Sequence, residues 1–284
     1  MLELKGKPVA EFIYSEISNQ VAAWPQKKWK APHLAVVLVG DDPASQVYVS
    51  HKQKACENLK YQSTLIRLAT TSSQADIAGT LQKLNQDNSV DAILLQLPLP
   101  PHLDSKKLTE LIRPDKDADG LTQASLGALM SGQQIVASCT PAGIMEILHY
   151  NKIGLGGKKV VVVGRSLIVG LPLFHLLIQA QATVTVCHSK TENTKEILSQ
   201  ADIVFVAIGK AQFFKASDFK KNATVIDVGI HRTEKGLCGD VDLSNADGHL
   251  FAATPVPGGV GPMTIAMLMK NTLTLASLHR ESKS

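Results

Sequence analysis

The sequence predicts an α/β protein of two domains, each a parallel sheet with helices between its strands. Three observations carry this. Residues 160–163 are four valines, apolar at every position, as in a strand buried on both faces. Residues 169–180 then place apolar side chains at helical spacing before a second β-branched run at 183–186. Residues 1–115 show the same alternation of strand and helix independently.

The elements follow in order. Residues 9–22 predict a helix with Val9, Phe12, Ile13, Ile17 and Val21 on one stripe. Residues 34–39 predict a strand, stopped by Asp41-Asp42-Pro43. The proline suits the first turn of a helix over 44–59. A strand at 63–68 and a helix at 74–85, with Ile77, Leu81 and Leu84 inward, come next. A third strand at 92–97 ends at Pro98-Leu99-Pro100-Pro101. A helix over 103–112 is stopped by Pro114. Residues 114–140, rich in Gly, Ser and Asp, read as a boundary, and Pro141 starts a connecting helix through Tyr150. Residues 158–252 form a nucleotide-binding unit with strands near 160–163, 183–186, 202–207 and 224–228. Residues 254–261, TPVPGGVG, combine prolines that fix the chain with glycines that permit close approach to a ligand. A last helix is expected over 262–279.

Composition narrows the functional classes. The 284 residues allow one large or two ordinary domains, and 44% hydrophobic content supports a packed core. A net charge of +4, from 29 basic and 25 acidic residues, is too mild for a nucleic-acid partner yet no obstacle to an anionic substrate. Cysteines 56, 139, 187 and 238 lie far apart without a CxxC pair, so neither zinc nor disulfides are expected, and reduced thiols fit a cytoplasmic protein. MLELKGKPVAEF lacks the apolar segment of a signal peptide. No apolar run approaches the length of a bilayer-crossing helix, so no membrane span is expected.

Chemistry concentrates at strand ends. Gly164-Arg165-Ser166 follows the valine run where backbone N–H groups at a helix start can meet a pyrophosphate, although the middle glycine of G-x-G-x-x-G is missing. The next strand ends Cys187-His188-Ser189-Lys190 without the acid that usually holds the ribose 2′-OH of NAD. A hydroxyl and a cation suit a 2′-phosphate, each charge-assisted hydrogen bond being worth about 1.5–3 kcal/mol, so NADP is the expected cofactor, the alternative being a solvated strand end. Tyr48 and Lys52 share a helix face, either for proton handling or as an aromatic packed under a lysine stem. Gln96 falls at the carboxyl end of its strand, either as a group on the ligand edge of its sheet or as a strand end meeting solvent. Asp115, Asp117 and Asp119 alternate along one short segment. An EF-hand loop starting at Asp115 would need Glu where Leu126 stands, so Asp119 reads as a turn residue or a substrate hydrogen-bonding group.

Together these motifs resemble the bifunctional methylenetetrahydrofolate dehydrogenase/cyclohydrolase family. The matching pieces run nearly the whole chain: YVSHK at 48–52, LLQLPLP at 94–100, PDKDADG at 114–120, CTPAG at 139–143, GRSLIVGLP at 164–172, CHSKT at 187–191, DVGI at 227–230 and PVPGGVGPMT at 255–264. The resemblance implies NADP-dependent oxidation of 5,10-methylenetetrahydrofolate, then hydrolysis to 10-formyltetrahydrofolate. It implies Lys52 as principal catalytic residue, Tyr48 orienting the folate, Gln96 supporting Lys52 and Asp119 bonding the pterin. Gly164, Arg165 and Ser166 would hold the cofactor phosphates, Ser189 the 2′-phosphate, with Ile230 against the cofactor. Residues 255–261, including Pro255, Gly258 and Gly259, would border the folate cleft. The implied architecture is a folate-binding catalytic domain of 1–140 plus 262–284 and a Rossmann-like NADP domain of 141–261. Long helices would join the two around the cleft, in a homodimer.

Departures from the common pattern are Ala118 for valine, Ser138 for proline, Lys60-Tyr61 for Gly-Ile, and leucines at 167 and 171 near the cofactor turn. None removes a proposed catalytic group. The rival readings are a monofunctional dehydrogenase of the same family, an NADP-dependent dehydrogenase of another small substrate, and a nucleotide-sensing module. The last two leave Tyr48, Lys52, Gln96 and Asp119 unexplained.

Overall fold

The computed structural model describes residues 1–234 and 236–282. The chain opens with a two-residue strand, β1 (Leu2–Glu3), and helix α1 (Gly6–Ala22), which buries Val9, Ile13 and Ile17 of the expected stripe together with Ala10, whereas Phe12 is exposed and Val21 half-buried. Two compact units follow from the chain's contacts: Met1–Phe12 with Ser138–Thr264, and Ile13–Ala137 with Ile265–Ser284.

In the second of these, β2 (His33–Val39) is the central strand of a parallel sheet, flanked by β3 (Gln62–Leu68) and β4 (Ala92–Leu95). Helix α2 (Pro43–Asn58) links β2 to β3. Asp42 caps it by accepting the Ser45 N–H at 2.7 Å, and Pro43 fills the first turn. Helix α3 (Gln74–Gln86) starts with a Ser73–Asp76 capping box and buries Ile77, Leu81 and Leu84 against Ala35, Val37 and Val39 of β2. Helix α4 (Ser105–Thr109) is shorter than the periodicity of 103–112 predicts. Asp104 accepts the Lys107 N–H and sets its start, and the chain beyond Thr109 continues in turns. The stretch read as a boundary is structured: a single 3₁₀ turn at Pro114–Lys116 and α5 (Gln123–Met130), capped by Thr122, belong to this unit. Glycine, serine and aspartate are there as turn and cap residues, the same chemistry that marks linkers.

The other unit carries a six-stranded parallel sheet. Helix α6 (Cys139–Tyr150) leads to β5 (Lys159–Val163), α7 (Gly170–Gln179), β6 (Thr183–Cys187), α8 (Thr194–Leu198) and β7 (Ile203–Val206). A short strand β8 (Phe214–Lys215) precedes β9 (Thr224–Asp227). A hairpin of β10 (His231–Thr233) and β11 (Gly236–Cys238) is followed by β12 (Val241–Asp242), which pairs with β8, and by β13 (Ala252–Ala253). The strand order β1-β13-β9-β7-β5-β6 buries the valine run as expected. One face packs Val161, Val163, Val204, Val206 and Val225 on Phe214, Phe219 and Leu250. The sequence assigns residues 1–140 to the first domain. Here Leu2 and Glu3 pair with Ala252 and Ala253 and extend this sheet instead. Two-residue strands carry no periodicity, so only the pairing reveals them.

The last element is α9 (Gly261–Glu281). Beyond Thr264 it belongs with the β2 sheet unit, burying Leu268, Met269, Leu273 and Leu275 there. Its Met269 carbonyl accepts the Tyr61 hydroxyl at 3.2 Å. Arg280 makes a two-pronged ion pair with the fully buried Asp91, at 2.6 and 2.8 Å. Such paired, charge-assisted bonds fix geometry as well as energy. Among the described residues no helix is long and apolar enough to cross a membrane.

Candidate active site

In the β2 sheet unit the site grows from α2 and the end of β4. Tyr48 and Lys52 are one helical turn apart, so both stand on one face of α2. Tyr48 is partly exposed, whereas Lys52 is buried at 8% exposure. The Lys52 Nζ donates to Gln96 Oε1 at 2.8 Å. Gln96 is itself fixed: its backbone N–H bonds the Val37 carbonyl and its side-chain amide bonds the Leu97 carbonyl. A neutral amide therefore faces a buried amine. A carboxylate there would hold the amine charged; an amide orients it without doing so.

Asp119 lies on the neighbouring edge. Residues 117–118 run beside β4, with Asp117 bridged to Ile93 and Ala118 N–H bonded to the Ile93 carbonyl. The other carboxylates of the stretch serve the fold. Asp117 accepts from the Gly120 and Thr122 N–H groups and the Ser125 hydroxyl, and Asp115 pairs with Arg113. Lys116 is turned inward onto the Leu84 and Asp87 carbonyls, its pKa lowered by burial. Asn271 of α9, which sequence reasoning misses, ties the segment down by donating to the carbonyls of Ala118 and Ala137, each at 2.9 Å. A lone asparagine in an apolar helix is the available signal.

In the other unit the parallel strands bring Gly164, Ser189 and Ile230 to one edge, the carboxyl ends of β5, β6 and β9. Gly164 has φ +124°, and a side chain there would strike the Ala207 carbonyl; one on Gly170 would strike the Gly164 carbonyl. The turn therefore closes tightly on itself at its two glycines, as the turn before a dinucleotide-binding helix does. Arg165 and Ser166 are exposed, and the Ser166 hydroxyl accepts the Val169 N–H at 3.1 Å. Ser189 and Lys190 are exposed in a tight turn after β6, with no acid in that turn to oppose a phosphate. Ile230 is 45% exposed. Pro255, Gly258 and Gly259 lie in the loop after β13. Gly258 takes φ +105°, and Gly259 is buried against Thr254 and Pro255. Thr254 anchors that loop to β9 by exchanging hydrogen bonds with the Asp227 backbone.

Two family models match the chain: the tetrahydrofolate dehydrogenase/cyclohydrolase catalytic domain over residues 4–119 and its NAD(P)-binding domain over residues 138–280. The chain belongs to the tetrahydrofolate dehydrogenase/cyclohydrolase family. It is 53% identical to the bifunctional protein FolD of Bdellovibrio bacteriovorus over 278 residues, 97% of this chain and 96% of that one. Among solved structures it resembles the bifunctional FolD of Campylobacter jejuni, at 41% identity and TM-score 0.95 with 98% and 99% of the two chains covered. It also resembles the Trypanosoma brucei enzyme complexed with NADP and an inhibitor, at 35% identity and TM-score 0.94, covering 100% and 99%.

As a member of this family the chain is a bifunctional enzyme. It oxidises 5,10-methylenetetrahydrofolate to the 5,10-methenyl form with NADP and hydrolyses that to 10-formyltetrahydrofolate. The catalytic-domain model covers residues 4–119, and the NAD(P)-binding model, over 138–280, also takes in the part of α9 that lies with the β2 sheet unit.

Proposed function

We propose that Lys52 is the principal catalytic residue of this dehydrogenase/cyclohydrolase, with Tyr48 orienting the folate, Gln96 holding the Lys52 amine and Asp119 bonding the pterin ring. The 2.8 Å contact between Lys52 and Gln96 carries the reading. Lysines are almost never buried unless paired, and a buried one at the ligand edge of a sheet is a candidate for a functional site. Residues 1–140 with 262–284 are proposed as the folate-binding catalytic domain and 141–261 as the NADP domain, save for the contribution of β1.

The chemistry explains why so few groups suffice. The substrate carbon bridges two nitrogens, and a nitrogen lone pair expels the hydride and leaves a delocalised cation. Orientation matters more than acid–base help in that step. NADP, when bound, accepts the hydride. Gly164, Arg165 and Ser166 are proposed to hold its phosphates, Ser189 its 2′-phosphate, and Ile230 to pack against it. Hydrolysis is more demanding: water loses a proton as it attacks, and a ring nitrogen gains one as the ring opens. Lys52 can do both. The positive methenyl substrate beside the amine disfavours its protonated form, so the amine is available as a base, and it returns the proton when the cation has gone. Pro255, Gly258 and Gly259 are proposed to border the folate.

The deciding experiment follows methenyl formation and decay separately, with methylenetetrahydrofolate and either NADP or NAD. Lys52→Met is expected to abolish decay while formation persists in part. Equal loss of both, with folate binding intact, would remove the special role in hydrolysis. The enzyme is further proposed to be a cytoplasmic homodimer, in keeping with its four free cysteines and the open edge strand β6. Light scattering of the purified chain tests the dimer.

A further inference from the structure

We propose that Asp240 and His231 are positioning residues for the NADP site, holding the ledge of residues 208–210 beside the Gly164 turn. Asp240 has 0% exposure and follows the β10–β11 hairpin. Its carboxylate gathers four donors: Oδ2 accepts the N–H groups of Ile208 and Gly209 at 2.7 and 3.1 Å, and Oδ1 accepts the Lys210 N–H at 2.9 Å and His231 Nε2 at 2.7 Å. Three consecutive backbone N–H groups thus converge on one buried charge. The Asp240 N–H in turn donates to Asp227 at 3.0 Å, and a side chain on Gly229 would strike the Asp240 carboxyl. The carboxyl ends of β7 and β9 are locked through one residue.

The place of this clamp gives it a function. Strand β6 lies on one side of β5 and β7 on the other, so the winding of the sheet reverses between β5 and β7. Ligands of open α/β sheets bind in the crevice at that reversal. Its two walls are the Gly164 turn and residues 207–210, which touch where the Ala207 carbonyl excludes a side chain on Gly164. Gly209 has φ +68° with open space where a side chain would lie, so the ledge is bare at that point. An irregular loop does not hold such a form unaided, because its N–H groups lack the partners that a sheet or helix supplies. The Asp240 carboxylate supplies those acceptors, and His231 orients that carboxylate.

The inference rests on the reading that NADP lies along the Gly164–Ser166 turn. It is tested with Asp240→Asn, which keeps the volume but replaces one acceptor oxygen by a donor. Direct binding of NADPH is titrated by fluorescence, alongside the KM for NADP and folate, and the hydrolysis of methenyltetrahydrofolate without cofactor. The expected result is a tenfold or greater rise in the NADPH Kd and NADP KM, with folate KM and hydrolysis within twofold of the parent. His231→Phe is expected to raise the Kd three- to tenfold and His231→Gln, which can donate to the same oxygen, to restore it. An unchanged Kd in folded Asp240→Asn, or hydrolysis falling in step with binding, overturns the proposal. Should Asp240→Asn not fold, an unchanged Kd in His231→Phe overturns it. Arg165→Ala and Ser189→Asp serve as controls. If they too leave the Kd unchanged, the placement of the cofactor has failed rather than the clamp.

Discussion

Lys52 of α2 and Gln96 at the end of β4 meet at 2.8 Å across 44 residues of sequence. The contact joins the helix after the central strand to the ligand edge of its neighbour. Replacing Gln96 by Ala removes this acceptor from the buried amine, and a hydrogen bond to a charged group contributes about 1.5–3 kcal/mol. Gln96→Ala is therefore expected to lower the hydrolysis rate by one to two orders of magnitude with a smaller effect on hydride transfer. Separate assays of the two steps check this, and parallel losses would show that Gln96 serves both alike.

Gly164→Ala tests the cofactor turn. The residue sits at φ +124°, and the new methyl would meet the Ala207 carbonyl. A non-glycine residue in so sparsely populated a conformation costs on the order of 1–3 kcal/mol. We expect a loss of that size in urea unfolding and an NADP KM raised at least tenfold. Retained stability and affinity would show that the turn opens freely.

Much of this site is legible in the sequence because strand ends and helix starts carry local signals. The valine run, the Gly164 turn, the absent acid near Ser189, and the helical spacing of Tyr48 and Lys52 are all local patterns, and each stands where its element placed it. Asp240, His231 and Asn271 are different. Their partners lie 9 to 153 residues away, and little in their immediate neighbours announces those contacts. Two glycine–aspartate pairings, Asp227 with Gly229 and Gly239 with Asp240, are the available hint. Each glycine there packs on a carboxyl group.

Ser189→Asp tests the cofactor preference. The exposed serine follows β6 next to Lys190. A carboxylate there would repel a 2′-phosphate while suiting a free ribose hydroxyl. The NADP KM is expected to rise about tenfold or more, and the ratio of NAD to NADP activity to rise with it. An unchanged ratio would place the phosphate elsewhere.

Arg280→Met tests the tie between α9 and the β2 sheet. Asp91 is fully buried and receives two Arg280 bonds, with His279 Nδ1 3.3 Å away and the His33 N–H at 3.0 Å. Removing one partner of a buried ion pair typically costs about 3–5 kcal/mol. The double variant Arg280→Met with Asp91→Leu is expected to recover part of that loss, since no charge is then left behind. Urea unfolding of the three proteins measures both effects. A single variant as stable as the parent would show that the pair contributes nothing.

Asp227 gives a pH signature of its own. Burial raises its pKa from 3.8 to about 6, against the opposing effect of three backbone N–H groups from Asp240, Val241 and Gly229, and the nearby Asp240 charge adds to the rise. A carboxyl whose pKa is higher in the folded state than in the unfolded chain favours folding in its protonated form. Its contribution is complete below about pH 4 and is lost as pH rises through about 6, a span worth on the order of 3 kcal/mol. The lowered carboxyls, such as Asp42 and Asp76 at their helix caps, run the other way and lose their contribution as pH falls. The total curve therefore hides Asp227, and the comparison with Asp227→Asn isolates it. Between pH 7 and pH 4 the parent enzyme is expected to gain stability relative to the variant. A constant difference between the two urea-unfolding curves over that range would show that the buried carboxyl stays ionised throughout, held by its three N–H donors.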